Sequence, residues 1–202
     1  MSQRGDSVAT NFYFDRHFEK NAATILPGEY YVSASDMLIV TVLGSCVAAC
    51  IRDRQSGIGG MNHFMLPDGA NEQGNSYGSP ARYGVFAMEL LINQLLKMGA
   101  KRSHLEAKVF GGGKVLPGID QARIGERNAA FVTEFLATEG IPVIARDLLD
   151  IHPRKVFFMP RSGKVMVKKL REMHDGTLVE REAGYAKQLR DTKVGGDVEL
   201  FG

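Results

Sequence analysis

Cys46 and His63 are the residues of this sequence best suited to chemistry, and they lie 17 positions apart. An imidazole beside a thiol can accept its proton and hold the thiolate as an ion pair, which supplies a nucleophile at neutral pH. We therefore expect Cys46 to be the nucleophile and His63 the base of an acyl-transfer site. Gly44 and Ser45 form a tight turn before Cys46, and backbone N–H groups in this turn are candidates for stabilising an oxyanion.

The register of the hairpin between these two residues decides whether they meet. If its turn consists of residues 54–55, or of residues 53–56, Cys46 and His63 lie directly opposite each other on antiparallel strands. Their Cβ atoms would then be about 4.5–5.5 Å apart. A three-residue turn would instead place His63 on the other face of the sheet.

A third group usually orients the histidine of such a site. Thr41, on the preceding strand, is the nearest polar candidate, and Ser45 is the alternative. The competing interpretation is structural, because free cysteines are usually buried and inert. We assign that core role to Cys50, which lies in an apolar run. A disulfide with Cys46 is excluded, since four residues of one strand separate the two by about 13 Å.

The composition excludes several classes of protein. A net charge of +2, from 25 Lys and Arg against 23 Asp and Glu, does not indicate binding to nucleic acid. The longest segment without a charged residue, 37–51, is too short to cross a membrane, and residues 1–20 lack the apolar core of a signal peptide. We expect a cytoplasmic protein without membrane insertion.

Neither a metal ion nor a cofactor is predicted. Two cysteines are too few for a zinc finger, and the histidines lack metal-ligand spacing. The run Gly111–Gly113 before Lys114 is similar to a phosphate-binding loop, but it lacks the first glycine and the final hydroxyl residue of a Walker motif.

Short apolar or β-branched runs separated by Ser, Asp and Gly predict a β-meander in the first third of the chain. Apolar residues at helical spacing predict helices over 83–98 and 125–138, which end at Gly99 and Gly140. A long loop is predicted over 68–80. The strands are predicted at 29–33, 37–43, 46–52, 58–66, 105–110, 141–145, 155–159 and 164–168, the last two joined as a hairpin.

The predicted fold class is α+β, with a mixed or antiparallel sheet or sandwich core and two main helices packed on the sheet. We divide the chain into an N-terminal arm at 1–27, a catalytic domain at 28–170 and a mobile charged tail at 171–202, in which one short helix is allowed.

Several motifs occur in a characteristic order along residues 28–170. They are Thr41-Val-Leu-Gly-Ser-Cys46-Val-Ala-Ala-Cys-Ile-Arg-Asp53, Gly59-Gly-Met-Asn-His63-Phe-Met-Leu-Pro67, Ala81-Arg-Tyr-Gly84, Lys108-Val-Phe-Gly-Gly112, Ile124-Gly-Glu-Arg-Asn128 and the hairpin 155–168. Together they closely resemble the CheD family of bacterial chemotaxis proteins. The chain departs from many members at 150–154, where they carry a glycine-rich stretch, and from some in having one residue fewer between Thr41 and Cys46.

The resemblance implies a protein-glutamine deamidase. Such an enzyme hydrolyses selected glutamine side chains of methyl-accepting chemotaxis receptors to glutamate and releases ammonia. It also implies a thioester mechanism, with Cys46, His63 and Thr41 as the catalytic triad.

Two further functions stay open at this point. One is a binding module that engages a regulatory phosphatase of the CheC type, or a receptor helix, with little catalysis. The other is hydrolysis of receptor methyl esters, which uses the same acyl-enzyme chemistry.

Overall fold

A computed structural model describes residues 7–67, 79–115, 119–170 and 176–191 of the chain. Within these ranges lie eleven β-strands, three α-helices and a 3-10 helix, Arg102–His104. The strands are β1 (Ser7–Val8), β2 (Asn11–Asp15), β3 (Lys20–Thr24), β4 (Glu29–Ser33), β5 (Leu38–Leu43), β6 (Val47–Asp53), β7 (Gly59–Asn62), β8 (Leu105–Gly111), β9 (Val143–Leu148), β10 (Arg154–Met159) and β11 (Lys164–Lys169). The α-helices are α1 (Ser79–Lys97), α2 (Ile119–Thr138) and α3 (Gly176–Asp191). None of the helices in these ranges is long and apolar enough to cross a membrane.

The strands form two mixed sheets. The six-stranded sheet has the order β1-β4-β7-β6-β8-β9, with parallel pairs at its two edges, β1 with β4 and β8 with β9. The five-stranded sheet has the order β11-β10-β5-β3-β2, and its parallel pair is β3 with β5.

Strand β6 shows how the layers are stacked, because its alternate residues belong to two different hydrophobic cores. Val47, Ala49 and Ile51 pack with apolar residues of α1 and α2. Ala48 and Cys50 pack on the opposite side, with residues of β5 and β10. The six-stranded sheet is therefore covered by helices on one face and by the five-stranded sheet on the other. A strand buried on both faces has no need of polar residues, which explains the unbroken apolar run in β6.

The predicted α+β class is confirmed, and both predicted helices form. In α1 the expected stripe is buried in the core beneath the helix, and both helices are followed by glycines in the left-handed region, Gly99 at φ +103° and Gly140 at φ +67°. The predicted hairpin of β10 and β11 is also present.

The predicted meander is wrong. Strands β4, β6 and β7 belong to the six-stranded sheet, whereas β5 belongs to the other one. The chain changes sheets at the turn 44–46 between β5 and β6. Runs of apolar residues reveal that these strands are buried, but they carry no signal for which sheet each strand joins.

The turn of the β6–β7 hairpin differs from both of the predicted ones. Cys50 pairs with Met61, and the turn consists of the four residues 54–57. The side chain of Asp53 accepts N–H groups from two turn residues, and Gly57 closes the turn at φ +74°. An aspartate before the turn and a glycine at its end therefore fix its length.

This turn displaces the predicted pairing by two residues. Val47 pairs with Phe64, so Cys46 and His63 are not directly opposite each other. Because successive side chains alternate between faces, a displacement of two residues keeps His63 on the face that Cys46 occupies. The prediction of direct opposition is wrong, but the two residues are still neighbours.

The structure also contains regular elements beyond the predicted domain of 28–170. Strands β2 and β3, in the predicted arm 1–27, complete the five-stranded sheet. Helix α3 lies in the segment 171–202, where the charged composition predicts a mobile tail that allows one short helix. Most of the predicted loop 68–80 lies outside the described residues, and α1 already begins at Ser79.

Candidate active site

The turn 44–46 carries the predicted nucleophile, and hydrogen bonds hold all three of its carbonyl groups. The donors come from the glycine run after β8 and from helix α2. The bonds run from Gly113 N to Gly44 O (2.8 Å), from Gly112 N to Cys46 O (2.8 Å) and from Asn128 Nδ2 to Ser45 O (2.9 Å). All three carbonyl groups of the turn therefore have a hydrogen-bond donor.

The glycine run serves this turn by allowing close approach. Gly111 has φ +108°, and a Cβ atom there would lie 2.2 Å from the carbonyl oxygen of Cys46. A side chain at Gly112 would similarly meet the backbone of Gly125 in α2, at 2.8 Å. These contacts explain the glycines without a phosphate ligand.

The N–H groups of the same turn converge on one carboxylate, that of Glu182. Gly44 N–H donates to Oε1 at 2.8 Å and Ser45 N–H to Oε2 at 2.9 Å, while Cys46 N–H reaches Oε1 at 3.3 Å. The Ser45 hydroxyl donates to Oε2 at 2.7 Å. Convergent N–H donors of this kind stabilise developing negative charge on an oxygen. The arrangement is compatible with the oxyanion role expected for Gly44 and Ser45.

Glycine at position 44 is explained by space. The expected reason, conformational freedom, does not apply, because Gly44 does not have a positive φ angle. A Cβ atom there would lie 2.7 Å from Glu182 Oε2 and 2.7 Å from Val115 Cγ2. The missing side chain therefore leaves room for the group that binds the N–H donors.

His63 is oriented by Thr41 through a bond that crosses between the two sheets. Thr41 Oγ1 lies 2.8 Å from His63 Nδ1 and donates its hydrogen to the carbonyl oxygen of Ile25, also at 2.8 Å. Because a threonine hydroxyl has a single hydrogen, Oγ1 must accept at His63, so Nδ1 carries the proton. The other ring nitrogen, Nε2, then has a free electron pair.

This free nitrogen lies in the site. Nε2 of His63 is buried and has no hydrogen-bond partner among the described residues. The ligand atoms of Cys46, His63 and Glu182 all lie within 4.8 Å of one another. A ring nitrogen of His63 thus lies within 4.8 Å of the Cys46 sulfur, and an unprotonated imidazole nitrogen in this position can take the proton of a thiol.

Burial keeps both groups neutral in this conformation. Cys46 is 0% exposed and His63 is 2% exposed. Burial, and then the charge of Glu182, raise the pKa of the Cys46 thiol well above its usual range. Burial lowers the pKa of His63 to about 3. The expected thiolate–imidazolium pair is therefore not favoured while Glu182 occupies the site.

The site groups also include types that bind metals, since Cys46, His63 and Glu182 form a cluster. Both carboxylate oxygens of Glu182 already accept hydrogen bonds from the turn. His63 uses one nitrogen on Thr41. The N–H donors account for the position of the carboxylate without a metal ion.

Helix α3 positions Glu182 through an apolar face. Tyr185, Ala186 and Leu189 pack against the core between the two sheets. Tyr185 lies over Gly28, where a Cβ atom would be 2.8 Å from its hydroxyl oxygen. Helical spacing therefore places Glu182 in line with the apolar stripe, facing the turn.

Sequence reasoning missed two residues of the site, Glu182 and Asn128. A glutamate inside an apolar stripe of helical spacing is a signal that could have drawn attention to Glu182. Asn128 belongs to the motif 124–128, and its side chain accepts Leu66 N–H at 2.9 Å while it donates to Ser45. An asparagine on a buried helix face is a signal of this kind of bridging.

Cys50 is a core residue, as predicted, and both cysteines are free thiols. Burial raises the pKa of the Cys50 thiol above its usual range. Cys50 is therefore an internal comparison for Cys46, because it has the same chemistry and burial but lacks the turn and the imidazole.

A thiol beside an oriented imidazole and a set of convergent N–H donors is characteristic of the hydrolases that use a cysteine nucleophile. Residues 65–169 match the model of a family described as CheD, chemotactic sensory transduction. The chain belongs to the CheD family.

Relatives match almost the full length of the chain and carry the name "Probable chemoreceptor glutamine deamidase CheD". The protein of Thiobacillus denitrificans is 62% identical over 196 residues, which are 97% of each chain. That of Herminiimonas arsenicoxydans is 63% identical over 196 residues, again 97% of each chain. That of Methylobacillus flagellatus is 60% identical over 197 residues and 97% of each chain.

Proposed function

We propose that the protein is a hydrolase that deamidates glutamine side chains of methyl-accepting chemotaxis receptors. One observation carries this proposal. The turn 44–46 binds a side-chain carboxylate, that of Glu182, on its N–H groups and beside the Cys46 thiol. A glutamate carboxylate is the product that glutamine deamidation would leave at this position. The name shared by the relatives, chemoreceptor glutamine deamidase, supports the receptor as the substrate.

The first half of the reaction forms a thioester. His63 Nε2 takes the thiol proton, and the Cys46 sulfur attacks the amide carbon of the substrate glutamine. The amide oxygen becomes negative and accepts the N–H groups of the turn 44–46. The carbon–nitrogen bond then breaks, and His63 returns its proton to the departing ammonia.

The second half releases glutamate. His63 removes a proton from a water molecule, which attacks the thioester carbon at the same oxyanion donors. The carbon–sulfur bond breaks, and the sulfur recovers its proton. Thr41 keeps Nδ1 protonated throughout, so that Nε2 is the nitrogen that exchanges protons.

The proposal includes a cytoplasmic location, where a catalytic thiol is kept reduced. Binding to a CheC-type phosphatase, which the family resemblance suggests, is a separate proposal. Co-elution of this protein and a CheC-type phosphatase in size-exclusion chromatography, after the two purified proteins are mixed, would support binding. Separate elution would contradict it.

Release of ammonia tests the proposed reaction. Purified enzyme is mixed with a cytoplasmic receptor fragment that carries glutamine, and with the same fragment carrying glutamate methyl ester at those positions. We expect ammonia from the first substrate, and Cys46→Ala should abolish it while Cys50→Ala retains it. Methanol release from the second substrate without ammonia from the first would identify a methylesterase instead. Receptor binding with neither product would identify a binding module.

A further inference from the structure

Helix α3 closes the site that the proposed reaction requires. Cys46 and Glu182 are both 0% exposed, and three backbone N–H groups of the turn 44–46 are bound to the Glu182 carboxylate. A substrate glutamine needs the same donors and direct access to the same sulfur atom. Glu182 and a substrate side chain therefore cannot occupy the site together.

The position of Glu182 on α3 is unusual for a charged residue. Its neighbours Glu180 and Arg181 are exposed, whereas Glu182 lies buried in line with Tyr185 and Leu189. Burying a carboxylate is costly unless hydrogen bonds replace its water. The turn provides three N–H donors and a hydroxyl for this purpose. The hydrogen-bonding groups of the turn are therefore complementary to the carboxylate that α3 buries.

The rest of α3 fits the protein surface as a docked ligand would. The Tyr185 hydroxyl is hydrogen-bonded to the Tyr83 hydroxyl of α1, and its ring covers Gly28. The apolar side chains of Ala186 and Leu189 reach the core between the sheets. The contact thus joins one helix face to the rim of the site, with a single carboxylate inserted into it.

We propose that α3 is a built-in product mimic that holds the enzyme in a closed, inhibited state. The inference rests on the proposed function, because it treats the Glu182 carboxylate as the equivalent of the glutamate that the reaction leaves. The chain must release α3 before it can bind a receptor glutamine. Substrate therefore competes with α3 for the turn 44–46.

The strongest test converts the mimic of the product into a mimic of the substrate. In a Glu182→Gln variant, the side-chain amide of residue 182 lies beside Cys46 and becomes an intramolecular substrate. Sulfur attacks its Cδ atom, the C–N bond breaks, and ammonia leaves with the proton held by His63. Water then breaks the C–S bond, which regenerates the thiol and leaves glutamate at position 182.

Peptide mass spectrometry of the purified variants gives the result directly. We expect residue 182 to be glutamate in the Glu182→Gln chain, and to remain glutamine when Cys46→Ala is added. The same preparations are assayed on the receptor fragment. If residue 182 stays glutamine while the fragment is deamidated, α3 is not a product mimic, although the proposed function stands. If neither glutamine reacts, the proposed function fails, and the mimic fails with it.

Kinetics test the inhibition separately. Since the apparent affinity for substrate scales with the open fraction, a chain that is closed nine times in ten gains about tenfold in kcat/KM when α3 is released. We expect this gain in Glu182→Ala, with no change in the matched control Glu180→Ala on the exposed face of the same helix. Equal values of kcat/KM in Glu182→Ala and in the unaltered protein would overturn the inhibited state. Circular dichroism establishes that both variants are folded.

Discussion

Replacing Thr41 with valine separates the orienting hydroxyl from the packing of the same side chain. Thr41 is 1% exposed, and its hydroxyl makes two bonds of 2.8 Å, to Ile25 O and to His63 Nδ1. Valine has nearly the same shape but removes both hydrogen bonds of the hydroxyl, each with a net worth of about 0.5–1.5 kcal/mol. We expect the free energy of unfolding to fall by about 1–3 kcal/mol in urea denaturation, the sum of the two losses.

The effect on catalysis comes from one of the two bonds. Without Thr41, His63 is free to carry its proton on Nε2, the nitrogen that must accept the thiol proton. We expect kcat to fall about 10- to 100-fold, which corresponds to about 1.4–2.8 kcal/mol, with little change in KM. Thr41→Ser keeps the hydroxyl and should retain most of kcat. A Thr41→Val enzyme that folds and keeps its kcat, or a Thr41→Ser enzyme that is equally impaired, would refute the orienting role.

Three further predictions concern the closed site and its supports. In a Cys50→Ala background, Glu182→Ala should speed alkylation of Cys46 by iodoacetamide, because it removes both the cover and a charge that raises the thiol pKa; an unchanged rate would argue against both effects. Burial lowers the pKa of His63 from 6.5 to about 3, so between these values the unfolded chain binds a proton there that the folded chain does not. The free energy of unfolding should therefore decrease as the pH is lowered from 6.5 to about 3, by up to about 1.4 kcal/mol per pH unit. A His63→Gln variant should lack this component in urea titrations, and parallel pH profiles of the two proteins would contradict it. Asn128→Leu leaves a buried carbonyl and a buried N–H without partners, so unfolding in urea should show a loss of about 2–6 kcal/mol, whereas a loss below about 1 kcal/mol would contradict the bridging role.

Local patterns predicted the parts of the fold that depend on local physics. The apolar stripe of α1 and the left-handed Gly99 that follows the helix are both properties of a short segment, and both were predictable. The allocation of β5 and β6 to different sheets depends on contacts between distant residues. Apolar strands buried on both faces carry no alternation that would reveal it.

The candidate site also has a part that the sequence predicts and a part that depends on contacts between distant residues. Cys46, His63 and Thr41 could be selected because their side chains have matching chemistry, and the structure brings the three together. Their exact pairing could not be predicted, because the observed turn of four residues begins one position later than the predicted one. This displaces the register of the two strands by two residues. Glu182 lies 136 positions beyond Cys46 along the chain. Its role depends on how α3 packs against the sheets, and the charged composition of the segment 171–202 gives no signal for that packing.

Conversion of a receptor glutamine to glutamate at the Cys46 turn can be followed one position at a time. A receptor cytoplasmic fragment is incubated with the enzyme and digested, and each glutamine position is followed by peptide mass spectrometry. We expect specific glutamines to become glutamate with the unaltered enzyme and with Cys50→Ala, and none to do so with a folded Cys46→Ala variant. Conversion of the same glutamines by Cys46→Ala would contradict it.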